Sequence, residues 1–157
     1  MTSRPVRRSH RRGNAAVEFA LVAPLLILLL LGLWEVGRLV EVQQTVNMAA
    51  REGGRQASTG QKDVSGVQQT VTNYLTRAGI NTQGITVTVT NMTNNSRSDP
   101  TTANQMDRFR ITVTLPFNNV RWVMLNQITN TQSLTAQSDW YSMRDLPVTV
   151  STTLPVE

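Results

Sequence analysis

"RRGNAAVEFALVAPLLILLLLGLW", Arg11 to Trp34, decides how the rest of this chain is read. Two arginines and a glycine lead into a stretch in which, from Ala15 to Trp34, Glu18 is the only charged residue. Twenty residues of helix at ~1.5 Å each reach ~30 Å, the thickness of a bilayer's hydrocarbon core. Leu25 to Leu31 is an unbroken Leu/Ile run, and Pro24 is expected to bend the helix mildly, which membrane helices tolerate. Arginines flank only the N-terminal side closely, so the positive-inside rule places residues 1–13 in the cytoplasm and the chain from about Glu35 outside.

Three readings fit a basic-then-apolar order. A secretory signal peptide needs a small-residue cleavage site after the apolar run, whereas this run continues into Trp34-Glu35-Val36-Gly37-Arg38. An uncut signal anchor accounts for everything except Glu18. A third reading cuts the chain before the apolar run, after Gly13, and gives Glu18 a task. A charge at the centre of a membrane helix costs about 2.5–3.5 kcal/mol, and less near the interface. Glu18 lies in the first turns, so it is either a carboxylate reaching water beside Arg11 or Arg12, or one awaiting a cation in an assembly. Cleavage after Gly13 would remove every nearby arginine and create an α-amine on Asn14. An ammonium of that kind, brought by a neighbouring subunit, would pair with Glu18 and set axial register.

The net charge of +5 is a property of the tail: Arg4, Arg7, Arg8, Arg11 and Arg12 carry it, and the ten basic residues that follow are matched by ten acidic ones. The remainder has no basic excess of the kind that tracks phosphates, so nucleic acid is not an expected partner. There is no cysteine, and the single histidine is His10, in the tail. Thiolate chemistry, a histidine-based triad and a histidine-ligated zinc are thereby excluded from the rest of the chain. Asp99, Asp107, Asp139, Asp145 and Glu157 are scattered without metal-loop spacing, and there is no glycine-rich phosphate loop or nucleophile elbow. No cofactor, no metal and no enzymatic activity are expected.

Helical periodicity continues past the membrane. Leu39, Val42, Val46, Ala49, Gly53 and Ala57 recur at three- and four-residue steps and form one stripe. The side chains in Ala49, Ala50, Gly53 and Gly54 are small enough for another backbone to approach closely, either the protein's own head or a helix of another subunit. The two glycines weaken the helix by roughly 1 kcal/mol each relative to alanine, so a hinge or fraying is expected there and an end by Thr59-Gly60. Ser65 to Gln68 reads as a capping box opening a second helix, with Asp63 an alternative cap. Val64, Val67, Val71, Leu75 and Ala78 form its apolar face, and Gly79 suits a left-handed terminator.

Ile85, Val87 and Val89 alternate with threonines as one strand, and Phe109 to Leu115 alternate as another that Pro116 ends. The two are expected to pair as an antiparallel hairpin across Asn91 to Asp107, a polar, turn-rich loop read as mobile and exposed, or less readily as a contact surface. Asn119 is expected to cap a short helix over Val120 to Leu125. A third strand runs from about Ser133 to Tyr141, with Leu134, Ala136 and Trp140 on one face. The expected architecture is α+β: a leader (1–13), a transmembrane helix (14–34), a helical stalk (35–60), and a head (61–157) with a helix on a three-stranded, mainly antiparallel sheet.

"RRGNAAVEFALVAPLLILLLLGLWEVGRL" resembles the N-terminus of the TadE-like pseudopilins, minor pilin-like proteins of the tight-adherence (Tad/Flp, type IVc) pilus system. "AAREGGRQAS", Ala49 to Ser58, is similar to a second stretch of that family, and "RITVTLPF…SLTAQSDWYSMRD" is a weaker third match. The resemblance implies that Gly13 is the last leader residue, Asn14 the first mature residue, and Glu18 and Phe19 the pair that serves assembly. Asn14 departs from the phenylalanine or methionine common at that position in major type IV pilins. The implied partners are the bacterial inner membrane, a prepilin peptidase, other pilin-like subunits and the inner-membrane assembly proteins. Two alternatives stay open: an uncleaved single-pass envelope scaffold, and a ligand-binding module with a pocket lined by Trp122, Trp140 or Tyr141.

Overall fold

The structure is a computed structural model that describes residues 10–120 and 133–144, with side chains from residue 15 onward. A 50-residue helix, α1 (His10–Thr59), leads into α2 (Val64–Arg77) and then three strands: β1 (Thr86–Asn91), β2 (Arg108–Pro116) and β3 (Ser133–Tyr141). The strands form one antiparallel sheet in the order β1-β2-β3. α1 lies over β2 and β3, and α2 lies beside it against β1. The α+β architecture expected from the sequence is the one observed.

α1 has two chemically different halves. From Val17 to Leu33 its large apolar side chains are exposed, whereas Val42, Val46, Ala49, Ala50 and Ala57 are buried in the head. That buried stripe faces Val67, Val71 and Leu75 of α2 and the inner face of the sheet, led by Phe109, Ile111, Val113 and Leu115. The helix runs unbroken through Pro24 and through Gly53-Gly54, so the hinge expected at the glycines is not present. Their value lies in packing instead. A Cβ on Gly53 would stand 2.6 Å from Val71 Cγ2, and one on Gly54 would overlap the indole ring of Trp140. The glycines thus let α2 and β3 approach the backbone of α1, and this packing offsets their weak helix propensity.

Local signals place α2. Its N-cap is Asp63, whose Oδ1 accepts the Gly66 N–H at 2.8 Å. Ser65, read from sequence as the cap, lies inside the helix and donates its hydroxyl to Asp63 Oδ2 at 2.8 Å. The aspartate wins because a carboxylate at the helix start also suits the positive end of the helix dipole. Gly79 ends the helix at φ +74°, with Gly79 N–H donating to Thr76 O and Ile80 N–H to Leu75 O, both at 3.0 Å. This is the paired bonding of a Schellman turn. It turns Ala78 out to solvent, off the apolar face assigned to it.

Each edge of the sheet carries a glutamine from a helix. Gln68 of α2 donates to Val87 O on β1 at 2.8 Å, and Gln43 of α1 donates to Thr135 O on β3 at 3.1 Å. Such bonds tie the helices to the outer strands and occupy edge carbonyls that could otherwise recruit another strand. The outer face of the sheet is polar, with Thr86, Thr114 and Thr135 in register across the three strands.

The Asn91–Asp107 loop is exposed over about half of its residues, in keeping with its polar, turn-rich composition, but its two ends are buried and bonded to each other. Asn91 is 1% exposed and Asp107 4%, and Asn91 Nδ2 donates to Asp107 Oδ2 at 3.0 Å and to Arg97 O at 2.9 Å. Asn91 Oδ1 accepts the N–H groups of Thr93 and Asn94, and Asp107 Oδ2 accepts that of Asn104. Buried side chains thus satisfy the loop's backbone from within. At the opposite end of the sheet, Asn119 closes a short 3-10 turn (Phe117–Asn119) and donates its amide to Asn81 O and Gln83 O. The helix expected over Val120 to Leu125 lies outside the described residues, apart from Val120.

Two outcomes follow from this packing. Gly54→Ala should destabilise the chain by about 1–3 kcal/mol despite alanine's better helix propensity. The same change made in a Trp140→Ala background should cost far less, which thermal melts of the four proteins in a double-mutant cycle will read. A chain beginning at Asp63 loses Val42, Val46, Ala49, Ala50 and Ala57 from the core, and should show no cooperative melt by circular dichroism.

Candidate functional site

The first half of α1 presents a long run of exposed apolar side chains. Gly13 and Asn14 lie near the start of α1, and Glu18 and Phe19 follow them on an exposed stretch. Glu18 makes no ion pair among the described residues. Phe19 is 67% exposed. α1 is long and apolar enough to cross a membrane, and none of its most apolar window is buried against the protein.

One line along this surface continues beyond the bilayer length. Phe19, Val22, Leu26, Leu29, Leu33, Val36 and Val40 succeed one another at alternating three- and four-residue steps, and every one is exposed. That is the spacing at which two helices interlock side by side, crossing at about 20°. Val36 and Val40 lie past Trp34, while Glu35, between them and the apolar run, is buried at 8% exposure. Arg38 is partly covered and donates to Glu41 at 2.9 Å. Among the described residues, a Cβ at Gly32 or Gly37 would meet nothing within 4 Å, so no contact there requires either glycine. Inside an apolar run any spacing can be found, which is why periodicity alone does not single this line out. Exposure at Val36 and Val40 is the signal.

The small residues further along α1 face inward. Ala49 and Ala50 are fully buried, and Gly53 and Gly54 are covered by Val71, Ile111 and Trp140 of the same chain. Of the two packings the sequence leaves open for this stretch, the protein's own head occupies it here.

Among the described residues no three acidic or histidine side chains gather as metal ligands would. An open polar groove of about 270 Å³ lies between the helices, lined by Glu52, Gln56, Lys62, Asn73, Tyr74 and Arg77. It is not the aromatic pocket that a ligand-binding module was expected to show. Trp140 is committed to Gly54, Tyr141 follows it on the opposite face of β3, and Trp122 lies outside the described residues.

Three carboxylates hold the head's surface geometry. Asp139 takes a two-pronged bond from Arg110 across β2 and β3, both contacts 2.8 Å, and this guanidinium lowers its pKa. Arg55 does the same for Glu52. The Gly66 N–H, followed by the Ser65 hydroxyl, lowers that of Asp63.

Residues 13–55 match the family model described as TadE-like protein. No curated protein and no solved structure matches the chain. The matched segment covers most of α1 and stops before α2 and the sheet.

Because all three carboxyl pKa values are lowered on folding, their contribution is complete above the ordinary carboxylate range near 4 and is lost as pH falls through the lowered values. The melting temperature of the full chain in detergent should therefore hold level from about pH 8 to 5 and drop below about 4. Asp139→Asn should lower the neutral-pH value and shrink that acid drop.

Proposed function

We propose that this chain, a member of the TadE-like family by its residues 13–55, is a minor pilin-like subunit that acts in assembly or initiation of a tight-adherence pilus. The observation that carries this reading is the division of α1. One half forms the core of the head, and the other displays an uncovered apolar surface with Glu18 near its start. A subunit of this kind is anchored singly in the bacterial inner membrane, with its N-terminus in the cytoplasm and its head outside. It is a substrate of the assembly machinery and not an enzyme.

In this reading a prepilin peptidase cuts after Gly13, where the absence of a side chain leaves the scissile backbone accessible. Cleavage takes away the five leader arginines and leaves an ammonium on Asn14. Apolar helices of neighbouring pilin-like subunits then pack along the exposed face of α1. An ammonium from one subunit pairs with Glu18 of the next. In a low-dielectric bundle such a pair holds one register, because any other leaves two charges buried and unmatched. Pairing therefore adds specificity to an association whose attraction is apolar and unspecific along the helix axis.

The test separates cleavage from pairing. Gly13→Trp should give an uncut precursor that still inserts, since the apolar helix is unchanged. Glu18→Ala should insert and be cut, yet fail to co-purify with other pilin-like subunits. Glu18→Gln keeps size and hydrogen bonding, and should fail as well if the charge is what matters. Leader removal is read by mass spectrometry of the membrane-extracted protein. If Glu18→Ala is processed and co-purifies like the parent, Glu18 is only an interfacial carboxylate. A native N-terminus still at Met1 or Thr2 would leave the chain an uncleaved anchor.

A further inference from the structure

The end of the sheet farthest from the apolar half of α1 carries a cluster that the assembly reading does not use. Met92 N–H donates to Arg108 O, Arg108 pairs with Tyr141 across β2 and β3, and Met106 N–H donates to Ser142 O. Met143 follows, its N–H bonded to Ser58 O near the end of α1. Arg108 and Tyr141 flank the buried Phe109 and the half-buried Trp140, so they lie on the sheet's outer face. Met92, Met106, Tyr141 and Met143 are between 42% and 68% exposed. These are the only large apolar side chains so exposed among the described residues outside α1.

Two further features mark this tip. Met106 sits at φ +66°, the one non-glycine residue with a positive φ among those described. A bulky side chain in that conformation is sparsely populated and is held here by its surroundings. The Asn91–Asp107 pair and the bond from Asn104 N–H to Asp107 build the turn that holds it. Arg97, Arg108 and Arg144 gather at the same end, and none forms a salt bridge among the described residues. Of the carboxylates near them, Asp107 is buried on Asn91, Asp99 accepts the Thr101 N–H, and Asp139, which feels Arg108, is held by Arg110. Arg97 and Arg144 instead donate to Asn104 Oδ1 and Ala103 O.

We infer that this tip is a docking site for a protein segment that presents carboxylates around apolar side chains. Methionines adapt their shape to an apolar partner, and an exposed cluster of them on a built turn is the kind of surface that binds protein. The three arginines select an acidic partner by charge complementarity. The anchoring bilayer is not the occupant. Twenty-five residues of α1 separate Trp34 from Thr59, and at ~1.5 Å each they lift the tip about 38 Å from the membrane end of the helix. That orientation rests on α1 being the anchor; the apolar and charged features of the tip do not.

The test uses the full chain in nanodiscs of neutral lipid, with empty nanodiscs as the control. The probe is a fluorescein-labelled peptide alternating glutamate with leucine, followed by anisotropy. Two companion peptides replace its glutamates by lysine or its leucines by serine. Saturable binding of the first peptide is expected, at least tenfold tighter than either companion. Arg108→Ser, and separately Met143→Ser, should weaken it at least tenfold with unchanged melting temperature. No saturable binding, equal binding of either companion, or binding indifferent to both variants overturns the proposal. The chain has no cysteine, so Met143→Cys supplies a single thiol. Disulfide-linked dimers of that variant would make a second copy the occupant and also overturn it. None of these readouts depends on cleavage at Gly13 or on Glu18, so failure here leaves the assembly reading to be judged by its own test.

Discussion

The head depends on how closely α1 can approach it at Gly53 and Gly54. Val71 and Ile111 press against one glycine and Trp140 covers the other. Any side chain there would push α2 or β3 away from the helix that forms their core. The rest of the interior follows from that approach. Val42, Val46, Ala49, Ala50 and Ala57 fill the gap between the sheet and α2, and all are at most 1% exposed. A core built on the narrow face of a single helix suits a small domain with no disulfide to reinforce it.

The same helix must satisfy two environments. Its first half displays leucine on nearly every side, as a lipid-facing or bundle-facing helix does. Its second half is amphipathic in the ordinary way, apolar toward the head and polar outward, with Arg51 and Arg55 in solvent. Near the change-over, Glu35 is buried while Val36 and Val40 remain exposed. A helix leaving a membrane into plain water would be expected to do the reverse. The family-model match falls on this helix and stops before α2 and the sheet.

Polar bonds as well as packing hold the two helices and the sheet together. Gln43 and Gln68 each reach a carbonyl on an outer strand, and Arg110 bridges β2 to Asp139 on β3. The part-exposed ion pair adds modestly to stability, and it fixes which residues of the outer face lie together. The Asn91–Asp107 bond does the same for the loop, at a site where an unmatched buried amide or carboxylate would be costly.

The sequence by itself determined the elements. A twenty-residue apolar run, a three-to-four stripe, alternation in the strands and a glycine after α2 are local signals, set by backbone geometry and by which side chains water excludes. They placed α1, α2 and all three strands, and they singled out Gly13, Glu18 and the small residues of α1 for attention. Only the tertiary structure decided what depends on neighbours distant in sequence. It placed Trp140 over Gly54 and kept the helix continuous through two glycines that weaken it by propensity alone. It buried Asn91 and Asp107 inside a loop whose composition reads as solvent-exposed, since a buried polar pair is stable only where each group finds its partner across sixteen residues of chain.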